Sequence, residues 1–243
     1  MKKIYIDGDM VAYRAAFSSE YETKWDEDHW TLLCSETDMK REVNTFFGNL
    51  RSRFKSDDLT PVFSPSTNYR YEIFPEYKAS RKKNRKPLGL KWLIEWMTEE
   101  FGGIKAKNME ADDLIGILCT ERPKETIAVS GDKDFATLPV SWYNPLKDAL
   151  VKTSAKEAAK FHLVQTLAGD QADGYSGAKG VGIIGAYKLM DKKGYKWETV
   201  VGAFEKAGQT EEDALLNARL AYILQNKDYN RETEEIKLWE PSK

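Results

Sequence analysis

The sequence predicts an α/β fold with a mainly parallel central sheet, followed by a helical C-terminal region. Three short apolar runs, residues 3–6, 61–63 and 126–130, have the length and side-chain types of buried strands. Amphipathic stretches with helical spacing separate these runs, for example residues 38–54. Strands that alternate with helices usually pair in parallel, and such a sheet binds ligands at the carboxyl ends of its strands.

The other elements follow from the same patterns. Residues 10–16 are predicted to be helical, and residues 20–34 form a polar, tryptophan-bearing insertion whose structure the pattern does not assign. A final run, residues 235–239, is typical of an edge strand. From about residue 154 the spacing predicts helices over residues 155–168, 185–190, 197–207 and 210–225.

Composition limits the class of protein. With 243 residues, 41% of them hydrophobic, the chain can form a sizeable core. The N-terminus enters a strand rather than a signal sequence, and the apolar runs are too short for a membrane span, so we expect a soluble intracellular protein. Two cysteines and two histidines, widely separated, argue against a zinc site or a disulfide framework. The net charge of −2 weakly disfavours nucleic acid, although an average conceals local clusters.

Carboxylates are grouped at four places, each at the end of a predicted strand or helix. The groups are Asp7 with Asp9, Glu110 with Asp112 and Asp113, Asp132 with Asp134, and Asp170 with Asp173. Each group alone has an ordinary explanation, because acids favour helix N-termini and Gly-Asp pairs favour turns. Four converging groups would repel one another unless cations neutralised them, and oxygen ligands suit Mg²⁺ or Mn²⁺. Together they predict a divalent-metal site.

A basic segment runs from residue 78 to residue 91 without an acidic residue. Its cations are Lys78, Arg81, Lys82, Lys83, Arg85, Lys86 and Lys91. Such runs are often only solvated surface. Here aromatic residues precede the run, and rings beside cations suit single-stranded nucleic acid, whose bases stack while its phosphates pair. We predict that this segment binds DNA and steers it toward the acids.

A glycine-rich segment, residues 169–182, leads into a short predicted helix. It lacks the Gly-Lys-Ser/Thr of a P-loop, and no strand precedes it, which argues against a nucleotide site. Glycines let a backbone approach a ligand closely, and amides at a helix N-terminus attract phosphate oxygens. A helix-hairpin-helix turn that grips a duplex backbone without reading its sequence explains the segment better.

Taken together, these segments resemble one family, the 5′→3′ exonucleases and flap endonucleases, and most closely the free-standing bacteriophage exonucleases. The resemblance implies a PIN-like nuclease core over residues 1–153, a helical arch at about residues 78–100, and a helical DNA-binding region with a helix-hairpin-helix over residues 154–243, packed on the core. The matching pieces stand in the family's order over nearly the whole chain: residues 6–9, 13–14, 75–81, 110–113, 130–135 and 169–182.

The resemblance also implies a role for each matching residue. Lys78 and Arg14 would contact the scissile phosphate or the 5′ end, Tyr77 would stack on a base, and Arg81 would begin the arch. Two Mg²⁺ ions, for which Mn²⁺ could substitute, would be held by Asp7, Glu110, Asp112, Asp113, Asp132, Asp134, Asp170 and Asp173. The duplex backbone, with K⁺ as a candidate ion, would be bound by Lys179, Gly180, Val181 and Gly182.

One position departs from the family's pattern. A further metal-binding Asp usually follows the strand at residues 61–63, but Ser64 and Pro65 stand there. If Asp7 and Asp9 lie in extended backbone, their side chains face the same way. We therefore hypothesise that Asp9 supplies the missing ligand.

The predicted reaction is hydrolysis of DNA phosphodiesters by a two-metal-ion mechanism, giving 5′-phosphate products from duplexes with a 5′ end or a 5′ flap. Lys78 and Arg14 would offset charge that grows on the phosphoryl oxygens. We expect a monomer without membrane association, located in the host cytoplasm if it is phage-encoded, with replication proteins as candidate partners. Two alternatives stay open: a PIN-type ribonuclease, and a DNA-structure-binding protein with weak or lost catalysis.

Overall fold

A computed structural model describes residues 2–241. The N-terminal part contains two long helices, several shorter ones and all strands of the main sheet. Its elements in chain order are β1 (Lys3–Asp7), α1 (Gly8–Ser18), β2 (Glu20–Lys24), β3 (Trp30–Cys34), α2 (Glu36–Phe54), β4 (Leu59–Phe63), α3 (Tyr69–Ile73), α4 (Leu90–Phe101), β5 (Ile104–Lys105), α5 (Ala111–Glu121), β6 (Thr126–Val129), β7 (Ser141–Asn144) and β8 (Ala149–Lys152).

The main sheet has six strands in the order β5-β4-β1-β6-β7-β8. Every pair is parallel except β7 with β8, which is antiparallel at the edge. Strand β1 lies between β4 and β6, with Ile4 and Ile6 fully buried. The predicted mainly parallel sheet is confirmed. The carboxyl ends of β1, β4 and β6 lie side by side, so the residues that follow these strands are neighbours.

Helices cover both faces of this sheet. Helices α1, α2 and α4 pack on one face around Ile4, Ile6 and Val129, and α5 packs on the other face around Val62 and Ala128. This three-layer arrangement buries β4 and β6 almost completely on both sides, which explains their continuous apolar runs. In β1 the fully buried Ile4 and Ile6 alternate with partly buried residues.

The segment predicted as an arch, residues 78–100, is not one continuous helix. It contains a short 3₁₀ helix (Ala79–Lys83), an irregular stretch over residues 84–89, and α4. Helix α4 places Leu93 and Met97 in the core against α1 and α2, because burying its apolar face is favourable. Only about residues 79–89 therefore remain to extend beside the acidic edge.

The tryptophan-bearing insertion is an antiparallel hairpin formed by β2 and β3. Its first residue, Glu20, accepts two hydrogen bonds of 2.7 Å from the Arg85 guanidinium and one of 2.6 Å from the Leu88 amide. The hairpin base is thus joined to the irregular stretch of the predicted arch.

The C-terminal part is mainly helical and has its own apolar core around Val164, Leu167, Met190 and Phe204. The predicted helix at residues 210–225 ends at residue 221, and residues 222–224 continue as buried extended chain. The elements are α6 (Ala155–Ala168), β9 (Gly169–Asp170), β10 (Tyr175–Ser176), α7 (Ile183–Lys193), α8 (Trp197–Lys206), α9 (Glu211–Ala221), β11 (Tyr229–Asn230) and β12 (Glu235–Ile236). None of the helices within residues 2–241 combines the length and apolar character needed to cross a membrane.

A buried ion pair joins the two parts of the chain. Arg70 on α3 binds both carboxylate oxygens of Asp113 on α5, and it also donates to the Tyr222 carbonyl at 2.8 Å. Asp113 Oδ1 accepts a further hydrogen bond from the Leu224 amide at 3.1 Å. The prediction that Asp113 binds metal and acts in catalysis is wrong, because its oxygens face the interior and are already bonded.

Removing one member of this pair should be costly. We expect Asp113→Ala to lower the free energy of unfolding by about 3–5 kcal/mol, because it leaves the buried Arg70 charge with Glu110, 3.6 Å away, in place of its close partner Asp113. Arg70→Met combined with Asp113→Leu should lose less, since both charges are removed. Urea denaturation measures these changes. The neighbouring Asp112→Ala is the matched control, and the ion-pair assignment fails if Asp113→Ala is no less stable than that control.

Candidate functional site

Carboxylates from both parts of the chain meet at the carboxyl edge of the sheet. The pKa values of five of these carboxylates are raised by the negative charges of other carboxylates in the group, which shows that the groups are neighbours. The residues brought together are Asp7, Asp9, Glu110, Asp112, Asp132, Asp134, Asp170 and Asp173. The four acidic groups thus lie together as expected, and their role as metal ligands remains a prediction.

Asp7 is fixed by its position at the end of β1. Its Oδ1 accepts a hydrogen bond from the Met10 amide at 2.9 Å and so caps α1, while its Oδ2 accepts one from the Ser130 hydroxyl at 2.9 Å. Ser130 follows the neighbouring strand β6. The strand-to-helix turn therefore holds this carboxylate rigidly at the edge of the sheet.

Asp9 turns toward β4 although its backbone is not extended. Helix α1 begins at Gly8, so the assumption that Asp7 and Asp9 share extended backbone is wrong. The Asp9 carboxylate nevertheless accepts a 2.8 Å hydrogen bond from the amide of Ser64, the residue at the family's missing Asp. The Ser64 hydroxyl in turn accepts a 2.9 Å hydrogen bond from the Ala111 amide. This placement supports the hypothesis that Asp9 fills the missing role.

The start of α5 contributes Glu110 and Asp112. Glu110 is the N-cap residue of the helix, and its amide donates a 3.0 Å hydrogen bond to Asp113 Oδ2. Its Oε1 lies 2.6 Å from Lys78 Nζ, and its Oε2 lies 3.0 Å from Tyr77 Oη. Burial would lower the pKa of Lys78, but Glu110 raises it overall, so this lysine stays charged.

The segment after β6 supplies Asp132 and Asp134. Asp132 caps a 3₁₀ helix (Lys133–Thr137) and is exposed, whereas Asp134 is mostly buried. Between them, Lys133 reaches across to the C-terminal part, with its Nζ 2.7 Å from Asp170 Oδ2 and 3.6 Å from Asp134 Oδ1. Lys133 was not among the predicted site residues, although its position between two acids at a strand end could have indicated it.

Asp170 and Asp173 come from the turn between β9 and β10. Asp173 forms an ion pair with Arg81 and lies 3.8 Å from Lys78 Nζ. Its backbone carbonyl also accepts a 2.8 Å hydrogen bond from the Lys78 amide. The first turn of the basic segment is therefore attached to the acidic edge through these contacts.

Repulsion and burial shift the titration of these acids. Burial, with the charges of Asp9 and Asp132, raises the pKa of Asp7 to about 7. Burial and the charge of Asp132 raise the pKa of Asp134 to about 7 as well. The pKa of Asp112 is also raised by burial and by its acidic neighbours. Cations near these groups would favour their charged forms.

The donor set fits divalent cations that prefer oxygen. All eight groups are carboxylates, and Asp134 Oδ1 is buried without a hydrogen bond within the described residues. Over the same residues, no three acidic, His or Cys side chains already form a complete ligand set. Cation binding would therefore require these side chains, and the lysines between them, to adjust.

Three predicted DNA contacts need correction or qualification. Tyr77 is only 1% exposed, with its hydroxyl 3.0 Å from both Glu110 and Asp173, so the prediction that it stacks on a base is wrong. The Val181 amide donates to the Ala178 carbonyl, so the prediction that this amide binds a phosphate is wrong. Arg14 is exposed on α1, where it lines a cavity with Glu42, and its role stays a prediction.

The remaining predicted DNA contacts lie on exposed surface. Gly182 is the N-cap residue of α7, with no side-chain cap among the described residues. Gly180, two residues earlier, has a φ of +80°, which favours glycine. The side chain of Lys82 lies outside the described residues. Exposed members of the predicted set are Arg81, Lys83, Arg85, Lys86, Lys179, Gly180 and Gly182.

A parallel α/β sheet with buried carboxylates and a charged lysine at its carboxyl edge has the composition of a metal-dependent phosphoryl-transfer site. The N-terminal, resolvase-like domain of the 5′-3′ exonucleases matches residues 2–162, and the chain belongs to this family. The expected family resemblance is therefore confirmed.

Two phage enzymes are similar over almost the whole chain. The exodeoxyribonuclease of Enterobacteria phage T3 and the exonuclease of Escherichia phage T7 are each 28% identical over 279 residues, covering 98% of this chain and 92% and 93% of theirs. A phage T5 protein co-crystallised with metal ions has a TM-score of 0.70 at 15% identity, covering 91% of this chain and 89% of its own. A phage T5 flap endonuclease complex with DNA and metal ions has a TM-score of 0.63 at 16% identity over the same fractions. These two structures show a shared fold.

The acid titrations give a pH dependence with a definite sign. Asp7 and Asp134 have pKa values of about 7 in the folded chain, against 3.8 ordinarily, so the folded chain binds more protons between those values. We expect the chelated protein to lose stability as pH rises from about 4 to about 7. Added Mg²⁺ should restore stability at pH 8.

Urea denaturation with EDTA at pH 5 and pH 8 measures this effect. Asp134→Asn is the control, because it should reduce the difference between the two pH values. Equal pH dependence in the wild type and the variant would contradict the assigned repulsion.

Asp9 has a separate test. We expect Asp9→Ala to weaken Mn²⁺ binding about 10-fold or more, because it removes a carboxylate that Ser64 holds at the edge of the sheet. Calorimetric titration of Mn²⁺ measures the affinity. Asp38→Ala, an acid on α2, is a control, and unchanged affinity and cleavage rate in Asp9→Ala would reject the hypothesis.

Proposed function

We propose that this protein is a divalent-metal-dependent 5′→3′ exonuclease that hydrolyses DNA phosphodiesters and leaves 5′-phosphate products. The observation that carries this proposal is the convergence of carboxylates from both parts of the chain around the charged Lys78. Membership of the 5′-3′ exonuclease family supports the reaction class.

The carboxylates would hold the cations. Mg²⁺ ions, when bound, supply the positive charge that activates water and stabilises the leaving 3′ oxygen. We assign two ions to the site, and Mn²⁺ should substitute because it accepts the same oxygen ligands. The ligand set would be drawn from Asp7, Asp9, Glu110, Asp112, Asp132, Asp134, Asp170 and Asp173.

Lys78 would act on the phosphate. Its ammonium is mostly buried, charged and held by Glu110, so it is already oriented at the acidic edge. In that position it would donate a hydrogen bond to a phosphoryl oxygen and offset the charge that develops there. Arg14 and Arg81 would contact the phosphate or the 5′ end of the strand.

The DNA would contact two exposed surfaces. The first comprises the exposed cations Arg81, Lys83, Arg85 and Lys86. The second is the turn at Gly180 and Gly182, where the N-terminus of α7 suits a backbone phosphate. We infer duplex DNA with a 5′ end or flap as substrate, in line with the DNA complex of the phage T5 enzyme. We also propose a K⁺ ion at this turn, a monomeric state and replication proteins as partners. The location would be cytoplasmic, in the host cell if the protein is phage-encoded.

The mechanism predicts that variants of the metal-binding acids lose catalytic activity but still bind DNA. We expect Asp132→Asn and Asp134→Asn each to lower kcat by at least about 100-fold, because each removes a charge that would hold a cation. DNA binding should survive, since the contacting cations are unchanged. Cleavage of a 5′-labelled duplex and flap with Mg²⁺ measures the rate, and fluorescence anisotropy in Ca²⁺ measures binding.

Asp57→Asn serves as the matched control, because Asp57 is 88% exposed and pairs only with Arg51 among the described residues. Full activity in the Asp132→Asn, Asp134→Asn double variant would defeat the mechanism. Faster cleavage of the matched RNA would favour the ribonuclease alternative, and binding without any cleavage by the wild type would favour a non-catalytic DNA-binding protein.

A further inference from the structure

A polar side chain lies in the core directly behind the acidic edge. Gln165 on α6 is only 2% exposed, between the fully buried Val164 and the buried Thr166. Helix α6 packs against the 3₁₀ helix that carries Asp134. A carboxamide in such surroundings is unfavourable unless its donor and acceptor are both bonded.

Neither polar atom of Gln165 forms a hydrogen bond among residues 2–241, and Asp134 Oδ1 shares this property. These unsatisfied groups come from separate elements that pack against each other, and the Gln165 amide lies near enough to Asp134 to lower its pKa. Gln165 also lies beside the buried hydroxyl of Tyr175. The charges of Asp134, Asp170 and Asp173 all act on this tyrosine.

The arrangement assigns the two N–H groups of the carboxamide to two partners. The NH₂ group is the only part of Gln165 that can donate to the Asp134 carboxylate. Its second N–H can donate to the Tyr175 hydroxyl oxygen, which agrees with the lowering effect of Gln165 on the pKa of that tyrosine. Small side-chain rotations would complete both bonds and would fix the direction in which Asp134 faces Asp170.

We infer that Gln165 is a positioning residue of the metal site, which holds Asp134 in the orientation that a divalent cation requires and is itself held by Tyr175. This inference rests on the proposed function, because it presumes that Asp134 binds a cation. Partners of this kind orient ligating carboxylates, and their loss usually weakens metal binding 10- to 100-fold. Because Gln165 belongs to α6, it also makes the helical C-terminal part contribute to the orientation of a ligand from the main sheet.

If Gln165 contributed only to packing, its replacement would have different effects from those expected of a positioning residue. Methionine has nearly the same length and shape as glutamine, so Gln165→Met retains the packing and removes two unsatisfied polar atoms. If Gln165 only fills space, the variant should be as stable as the wild type and bind metal equally well. If Gln165 positions Asp134, stability should be kept or increased while metal affinity falls.

The experiment measures Mn²⁺ binding by calorimetry and by electron paramagnetic resonance, on DNA-free protein at 10 °C, where circular dichroism verifies folding. We expect Gln165→Met to weaken Mn²⁺ binding about 10-fold and to lower kcat by a similar factor, with KM for DNA unchanged. Thr199→Val is the matched control, because Thr199 also carries a buried unsatisfied oxygen but lies on α8.

Each outcome has one interpretation. Wild-type protein that binds no Mn²⁺ would overturn the proposed function itself. Wild-type protein that binds two ions, with unchanged affinity in Gln165→Met, would overturn only the role of Gln165. If Gln165→Met does not fold, Tyr175→Phe decides, because it keeps the ring and removes the hydroxyl. We expect it to weaken Mn²⁺ binding about 3-fold, and unchanged affinity there would reject the inference.

Discussion

The carboxylates at the edge of the sheet repel one another, and much of the surrounding structure balances that repulsion. Backbone amides of Met10 and Ser64 donate to Asp7 and Asp9, and Lys78 and Lys133 lie between acids of the two parts of the chain. Because β1 and α5 supply some of the acids and the β9–β10 turn supplies others, the charged side chains that screen them also hold the helical part against the sheet.

The same helix start serves both stability and chemistry. Successive residues of an α-helix differ by about 100° in direction, so Asp112 faces the acidic edge while Asp113 faces Arg70 in the core. Sequence proximity alone could not separate these two acids, and the prediction for Asp113 failed for that reason. The separation depends on Arg70, which is 43 residues away in the chain.

The apolar runs and the acids that end them were enough to predict the central strands and the location of the site. Strands β5, β7 and β8 were missed, because β5 has two residues and the four-residue strands β7 and β8 mix polar with apolar side chains, unlike the mainly apolar β6. Their pairing also depends on distant partners. The burial of Tyr77 was missed for a similar reason, since its hydroxyl contacts residues 33 and 96 positions away. Gln165 gave no sequence signal, because a single glutamine in a helix is most often solvated.

The contact of Glu20 with Arg85 and Leu88 has a consequence for conformational entropy. The Glu20 side chain joins the irregular stretch at two points to the β-hairpin, so the stretch has fewer accessible conformations than a free loop. A DNA strand that binds beside it would contact a surface whose conformational entropy is already reduced, so association would lose less entropy in ordering that surface. The hairpin thus stabilises a stretch, residues 84–89, in which Pro87 alone is buried.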